Sequence, residues 1–307
     1  MQQAVSRPLA TPRRRVNPLD NDALLGYLLI LPLLIFVIGM LAYPFFYALY
    51  LSLTKKLLGQ PAEFVGLANY VELITRDARF HKVAANSLVY TFGAIILKFI
   101  LGMIMALVLN EDIKARGFFR GLFIIPWAIP TVVTALTWRW IFDGTFGVMN
   151  YILRTVGITT MPIPWLADPN FAMWSVILAN TWRGFPFFGI SLLAGLQSIP
   201  KELYEAAEVD GANIWQRFRA VTLPGLYPII IVTTMLSTIW TFNDFALPFI
   251  VTRTGPNDAT NIFGTYTYQI GFMGSRLGYA VAATAVMMPF LFAMILALAP
   301  LMWRKEK

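Results

Sequence analysis

Six stretches of this chain are too long and too apolar to be packed inside a water-soluble domain. They run roughly Leu24–Leu53, Val83–Leu109, Phe118–Phe142, Phe171–Leu196, Leu223–Val251 and Leu277–Trp303. Crossing the hydrocarbon core of a bilayer takes about 20 mostly apolar residues, and each stretch reaches that length. Several contain proline: Pro32, Pro44, Pro126, Pro130, Pro186, Pro228, Pro248 and Pro289. Neighbouring helices in a membrane bundle can satisfy the carbonyls that proline frees. A transmembrane barrel would show segments of about ten residues with strict alternation, and none occurs. The expected fold is therefore an all-α polytopic membrane protein with six transmembrane helices.

Composition agrees. Of 307 residues 58% are hydrophobic and 13% charged, where a soluble domain carries about a quarter charged. The formal net charge of +8 does not point to nucleic acid, because the basic residues form no stripe with interleaved aromatics. Most sit beside apolar segments, facing lipid headgroups. There is no cysteine, which excludes disulfides, thiolate nucleophiles and zinc–thiolate sites. No GxxxxGK[ST] run occurs, so the chain is not expected to hydrolyse ATP. The single histidine, His81, falls in the first outer loop, and neither a metal site nor a catalytic set is expected.

Arg7, Arg13, Arg14 and Arg15 precede the first apolar run, as in a secretory signal. That run is too long for a signal and has no small-residue cleavage site, so it reads as an uncleaved first span. Lysine and arginine then set the orientation. With the N-terminus inside, inner segments hold thirteen of them and outer segments nine, and the outer segments are the longer. The expected arrangement is a cytoplasmic tail over 1–23, a transmembrane domain over 24–303 and a cytoplasmic end over 304–307.

The cytoplasmic segment 198–224 is too polar to span. Pro200 suits the first turn of a helix and Gly211 its C-terminal cap. Leu203, Ala206 and Ala207 share one side; Lys201, Glu205 and Glu208 take the other. A second helix follows, with Ile214, Trp215, Phe218 and Val221 at helical spacing, before Leu223 and Pro224 open the fifth span. On periodicity alone it is either an amphipathic connector at the membrane surface or a docking element. Paired alanines permit close approach, and glutamates can pair with a basic partner.

The fixed pattern Glu205-Ala206-Ala207, three residues, Gly211, nine residues, Val221, one residue, Leu223-Pro224 resembles the EAA loop of binding-protein-dependent ABC importer permeases. Val221 replaces the usual isoleucine. Phe64-Val65-Gly66-Leu67-Ala68-Asn69-Tyr70, Arg116–Arg120, Pro126–Pro130, Phe146–Tyr151, Gly184–Phe187 and Phe242–Phe245 are similar to the carbohydrate branch of that family. Within that branch they are similar to the larger membrane subunit of maltose importers.

The resemblance implies a type I, MetI-like permease fold in a bacterial inner membrane. It also implies a coupling role for Glu205, Ala206, Ala207, Asp210, Gly211, Leu223 and Pro224. The implied partners are a second permease subunit, a homodimeric ATPase carrying the ATP and magnesium, an external solute-binding protein and membrane lipid. No cofactor is implied in this chain. The implied substrate is a sugar or sugar derivative, with a polyol or glycerol phosphate as the alternative. An ion-coupled secondary transporter should show an inverted repeat, which is not seen, and leaves the loop unexplained.

Charge inside a span is costly and usually faces a bundle interior or a water-filled cavity, and the clear cases are Lys98, Arg183 and Asp244. Lys98 reads as snorkelling or structurally paired. Carried over by position from the maltose-type site, the substrate residues are Arg183, Gly184 and Phe187 in the fourth span, and Ser237, Trp240, Thr241 and Asp244 in the fifth. Trp240 offers a flat apolar face, Gly184 leaves room, and Ser237, Thr241 and Asp244 can bond hydroxyls. The alternatives are that Trp240 and Phe187 pack between helices and that Arg183 pairs with Asp244.

Overall fold

A computed structural model describes residues 22–302. The expected tail over 1–23 therefore lies almost wholly outside the described residues, and the end over 304–307 wholly so. Helix α1 spans Asp22–Ser52 with Pro32 and Pro44 inside it, and the chain up to Tyr50 forms a unit of its own. The second unit opens on two short antiparallel strands, β1 (Thr54–Lys55) and β2 (Glu63–Phe64), with Thr54 opposite Phe64. Helices α2 (Ala68–Thr75) and α3 (Ala78–Asn110) follow. Next come α4 (Arg116–Ala128), α5 (Thr131–Ile141), α6 (Val148–Thr155) and α7 (Pro169–Ser198). Two short helices follow, α8 (Lys201–Val209) and α9 (Ile214–Arg217). Then α10 (Leu223–Phe242), α11 (Ala246–Thr252), α12 (Phe263–Tyr268) and α13 (Leu277–Met302) complete the described chain.

Five helical segments are long and apolar enough to cross a membrane, and a sixth arises if α4 and α5 count together. That pair departs from the straight third span expected over Phe118–Phe142, because it bends by 91° at Ile129-Pro130. The cause is local. A residue before proline is pushed out of the helical region, and Ile129 is extended at φ −70°, ψ 132°. Pro130 then caps α5 without an N–H of its own. The fifth expected span, Leu223–Val251, is also broken: α10 stops at Phe242, and Asn243 to Phe245 interrupt it before α11. At its other end this span extends further than expected. A π-helical stretch, Phe218–Thr222, joins α9 to α10, giving one continuous helix over Ile214–Phe242.

The centre of the second unit is the packing of α3 against α7. Gly102 and Gly189 make this possible, since a Cβ on Gly102 would overlap Phe188 and one on Gly189 would overlap Met105. Small residues at such crossings let backbones approach closely in a bilayer, where packing rather than hydrophobicity drives association. Tyr90, Ala94, Val176 and Ile177 form one buried cluster here, and Met105, Leu109, Phe188 and Leu192 another.

On the side opposite α8, Asp77 caps α3 by accepting from Phe80 N at 2.9 Å. Its other oxygen accepts from Tyr266 Oη of α12 at 2.6 Å and Tyr279 Oη of α13 at 2.8 Å. Burial alone would raise this carboxyl, but the hydrogen bonds from Tyr266, Phe80 and Tyr279 outweigh it and hold the pKa below 3.8. A depressed folded pKa adds stability that is present above the unfolded value and lost as pH falls through the folded one. Asp77→Ala is expected to cost about 1–2 kcal/mol at pH 7, as the loss of a helix cap does. Thermal unfolding in detergent should show that gap at pH 7 and its closure well below pH 3.8.

Candidate functional site

In α7, Asn180, Arg183, Gly184 and Phe187 recur at helical spacing on one face. In α10, Ser237, Trp240 and Thr241 do the same, and Asp244 follows just beyond the helix end. The two faces enclose a cavity of about 360 Å³. Of the seven expected substrate residues, Arg183, Gly184, Trp240, Thr241 and Asp244 line it. Phe187 and Ser237 do not. Both sit a turn along their helices from the cavity: Ser237 is buried, and the Phe187 ring packs 4.9 Å from Trp240 and 6.2 Å from Trp127. Phe187 therefore positions Trp240, whose own side chain is half exposed.

The cavity also has walls that the expected substrate residues did not include. Lys98 comes from α3, Trp127 and Thr131 flank the α4–α5 bend, and Asn180, Asn243, Phe245 and Ala246 complete the lining. Lys98 was the one available signal among the charged groups, being the only cation within its span. It does not snorkel. Its side chain is 5% exposed, and Nζ donates to Thr241 Oγ1 at 2.9 Å. Gly184 is what admits it, because a Cβ there would overlap Lys98 Cε and lie 3.0 Å from Nζ. The room expected at Gly184 for substrate is thus taken by the lysine.

Asp244 is held by groups other than Arg183. Its Oδ2 accepts from Tyr90 Oη at 2.7 Å and from Asn180 Nδ2 at 2.9 Å. Its Oδ1 faces Leu247 N at 3.4 Å, at the start of α11. The ion pairs among the described residues are Arg79–Asp258, Arg217–Glu208 and Arg276–Glu72. The Arg183–Asp244 pair considered above is not formed, and Arg183 Nε is buried without a hydrogen-bond partner among the described residues. Unpartnered buried donors are uncommon and call for an acceptor. Among the described residues no three of His, Cys, Asp and Glu come together as a metal site would.

The expected docking loop lies between α7 and α10. Gly211 has φ +77°, the left-handed cap expected of it, with its N–H on Glu208 O at 3.0 Å. Asn213 and Gln216 then cap α9 reciprocally. Tyr204 Oη and Thr222 Oγ1, 3.1 Å apart, tie α8 to the base of α10, and Arg217 reaches Glu208 at 3.2 Å. The face expected from periodicity is only partly inward: Tyr204 and Ala207 turn in, while Leu203 and Ala206 are exposed with Glu205, Asp210 and Gly211. Leu223 and Pro224 are half-buried where α10 begins. Val209, Ile214 and Trp215 are 89%, 79% and 68% exposed, an apolar surface suited to a partner.

Comparison with known proteins places this geometry. Residues 98–302 match the family model described as the binding-protein-dependent transport system inner membrane component. The chain is 35% identical over 279 residues to the trehalose/maltose transport system permease protein MalF of Thermococcus litoralis, covering 90% of this chain and 93% of that one. It is 34% identical to the sulfoquinovosyl glycerol transport system permease protein SmoG of Agrobacterium fabrum, covering 87% and 86%. Among solved structures, a bacterial ABC transporter involved in the import of the acidic polysaccharide alginate superposes with a TM-score of 0.77 at 24% identity, over 94% of this chain and 98% of that one. On the family match and the extent of these identities, this chain belongs to the inner membrane components of binding-protein-dependent transport systems.

Proposed function

We propose that this chain is one of two permease subunits of an ATP-driven importer for a sugar or sugar derivative. The observation that carries this reading is the cavity between α3, α7 and α10. A half-exposed indole, Trp240, stands beside hydroxyl, amide and charged groups within otherwise apolar helices. That combination of one flat apolar face and several convergent hydrogen-bonding groups suits a saccharide ring. The names of relatives that carry trehalose, maltose or sulfoquinovosyl glycerol support the same class. Glu205 to Gly211, with Leu223 and Pro224 at its base, is the docking element for the ATPase subunit. An external binding protein delivers substrate to the opposite side, and nucleotide binding shifts the permease pair between its two access states.

In proteoliposomes holding both permeases and the ATPase, entry of labelled sugar should require ATP on the side of α8 and binding protein on the other. A cysteine at Glu205 should react only from the ATP side, and one at Glu63 only from the binding-protein side. Uptake driven by an ion gradient without ATP would overturn the reading.

A further inference from the structure

We propose that the cavity selects a saccharide bearing an anionic group, a carboxylate, sulfonate or phosphate, and that Arg183 is the residue that meets it. The inference rests on the cavity being the sugar site and adds the charge of its ligand. Lys98 and Arg183 line the cavity together, against the single carboxylate of Asp244. That carboxylate is already engaged: Tyr90 and Asn180 donate to one oxygen, and the other faces Leu247 N. Lys98 directs its ammonium to a neutral hydroxyl, Thr241 Oγ1, and Arg183 lies outside the 4.0 Å ion-pair distance of every carboxylate among the described residues. The lining therefore carries one more cation than anion, and the one other unpartnered buried atom on it among the described residues, Asn180 Oδ1, is neutral.

A guanidinium keeps its charge at any physiological pH and presents donors in a planar fork. Arg183 Nε has no acceptor among the described residues although it is shielded from solvent. A neutral sugar would bring hydroxyls to such a site but no charge, leaving the excess cation uncompensated in a weakly polar environment. An anionic group supplies both the charge and the paired acceptors that the fork matches, as bidentate arginine–carboxylate and arginine–phosphate contacts do. Trp240, on the adjoining wall, is placed to cover the apolar face of the same sugar ring.

The test is equilibrium binding to the purified permease–ATPase complex without binding protein, so that only the membrane site selects. The probes are matched sugars differing by one charged group: glucose with glucuronate and glucose 6-phosphate, and cellobiose with cellobiouronic acid. At least one anionic member is expected to bind on the order of ten- to a hundred-fold tighter than its neutral counterpart, the range for hydrogen bonds to charged groups. That ratio should fall to near one in Arg183→Gln. Arg183→Lys, which keeps the charge and loses the fork, should retain a smaller preference, and it carries the comparison if the glutamine variant does not fold. Equal binding of neutral and anionic members by the wild type would overturn the inference and leave the sugar reading standing. So would a preference that survives in Arg183→Gln, or in Arg183→Lys at full size. Binding of none of the probes by an intact complex would overturn both.

Discussion

Replacing Gly211 with proline is expected to abolish binding-protein-stimulated ATP hydrolysis while leaving the chain in the membrane. The residue sits at φ +77°, and proline is confined to about −65°. Proline also removes the N–H that reaches Glu208 O at 3.0 Å, and it drives Asp210 out of its present conformation, φ −71°, ψ 0°. The turn between α8 and α9 cannot then close. No residue of α8 is buried, so the damage stays local and the packing of α3 against α7 is untouched. Loss of coupling on the order of 100-fold is expected, the upper range for an energetic link between sites. Gly211→Ala, costing about 1–2 kcal/mol for a left-handed side chain, should lose only part of the activity. Glu205→Lys should reproduce the proline phenotype by a different route, reversing the charge of an exposed group. Stimulated ATPase activity in the reconstituted complex is the measurement, with abundance in membranes as the control. Wild-type activity in both Gly211→Pro and Glu205→Lys would remove the coupling role.

Asp244→Ala should have the largest effect on folding. It leaves the buried Tyr90 hydroxyl and the Asn180 amide without their acceptor, and it removes the only carboxylate among the described residues that line the cavity with Lys98 and Arg183. Breaking the balance of a buried charged site costs about 3–5 kcal/mol, which for a membrane bundle should appear as low abundance and a lowered melting temperature. Tyr90→Phe removes one hydrogen bond and should cost about 1 kcal/mol. Asp244→Asn keeps an acceptor for Tyr90 but not the charge, so it should fall between the two. Adding Lys98→Met to Asp244→Asn removes one of the two cations and should recover part of the loss. An Asp244→Ala protein as abundant and as heat-stable as the wild type would refute this account of the site.

Much of the fold was legible because bilayer thickness acts on sequence directly. Length and apolarity alone placed the helices seen over Asp22–Ser52, Ala78–Asn110 and Pro169–Ser198 to within a few residues. The spacing of Glu205, Gly211 and Pro224 located the loop between α7 and α10, and glycine at a left-handed cap is a local requirement that residue type reveals. The breaks at Ile129-Pro130 and Asn243–Phe245 were less legible. A proline inside an apolar run is compatible with either a kink or a stop, and hydropathy does not distinguish them.

The candidate site divides along the same line. Arg183, Gly184, Trp240, Thr241 and Asp244 were expected together from the resemblance to a maltose-type site, and they line one cavity. Lys98 lies 143 residues from Thr241, and no periodicity connects them. Tyr90 and Asp244, 154 residues apart, are in the same position. A charged pair of opposite sign on adjacent spans suggested that Arg183 and Asp244 would meet. The packing of α3 against α7 instead put Tyr90 and Asn180 on the carboxylate and left Arg183 Nε without an acceptor among the described residues. Sequence by itself determined the membrane-spanning class and the polar loop, because these depend on solvent and local backbone geometry. Which residues touch was decided only by tertiary packing. Contact between distant segments depends on how closely two helices approach, and at Gly102, Gly184 and Gly189 that approach is set by the side chains of other helices.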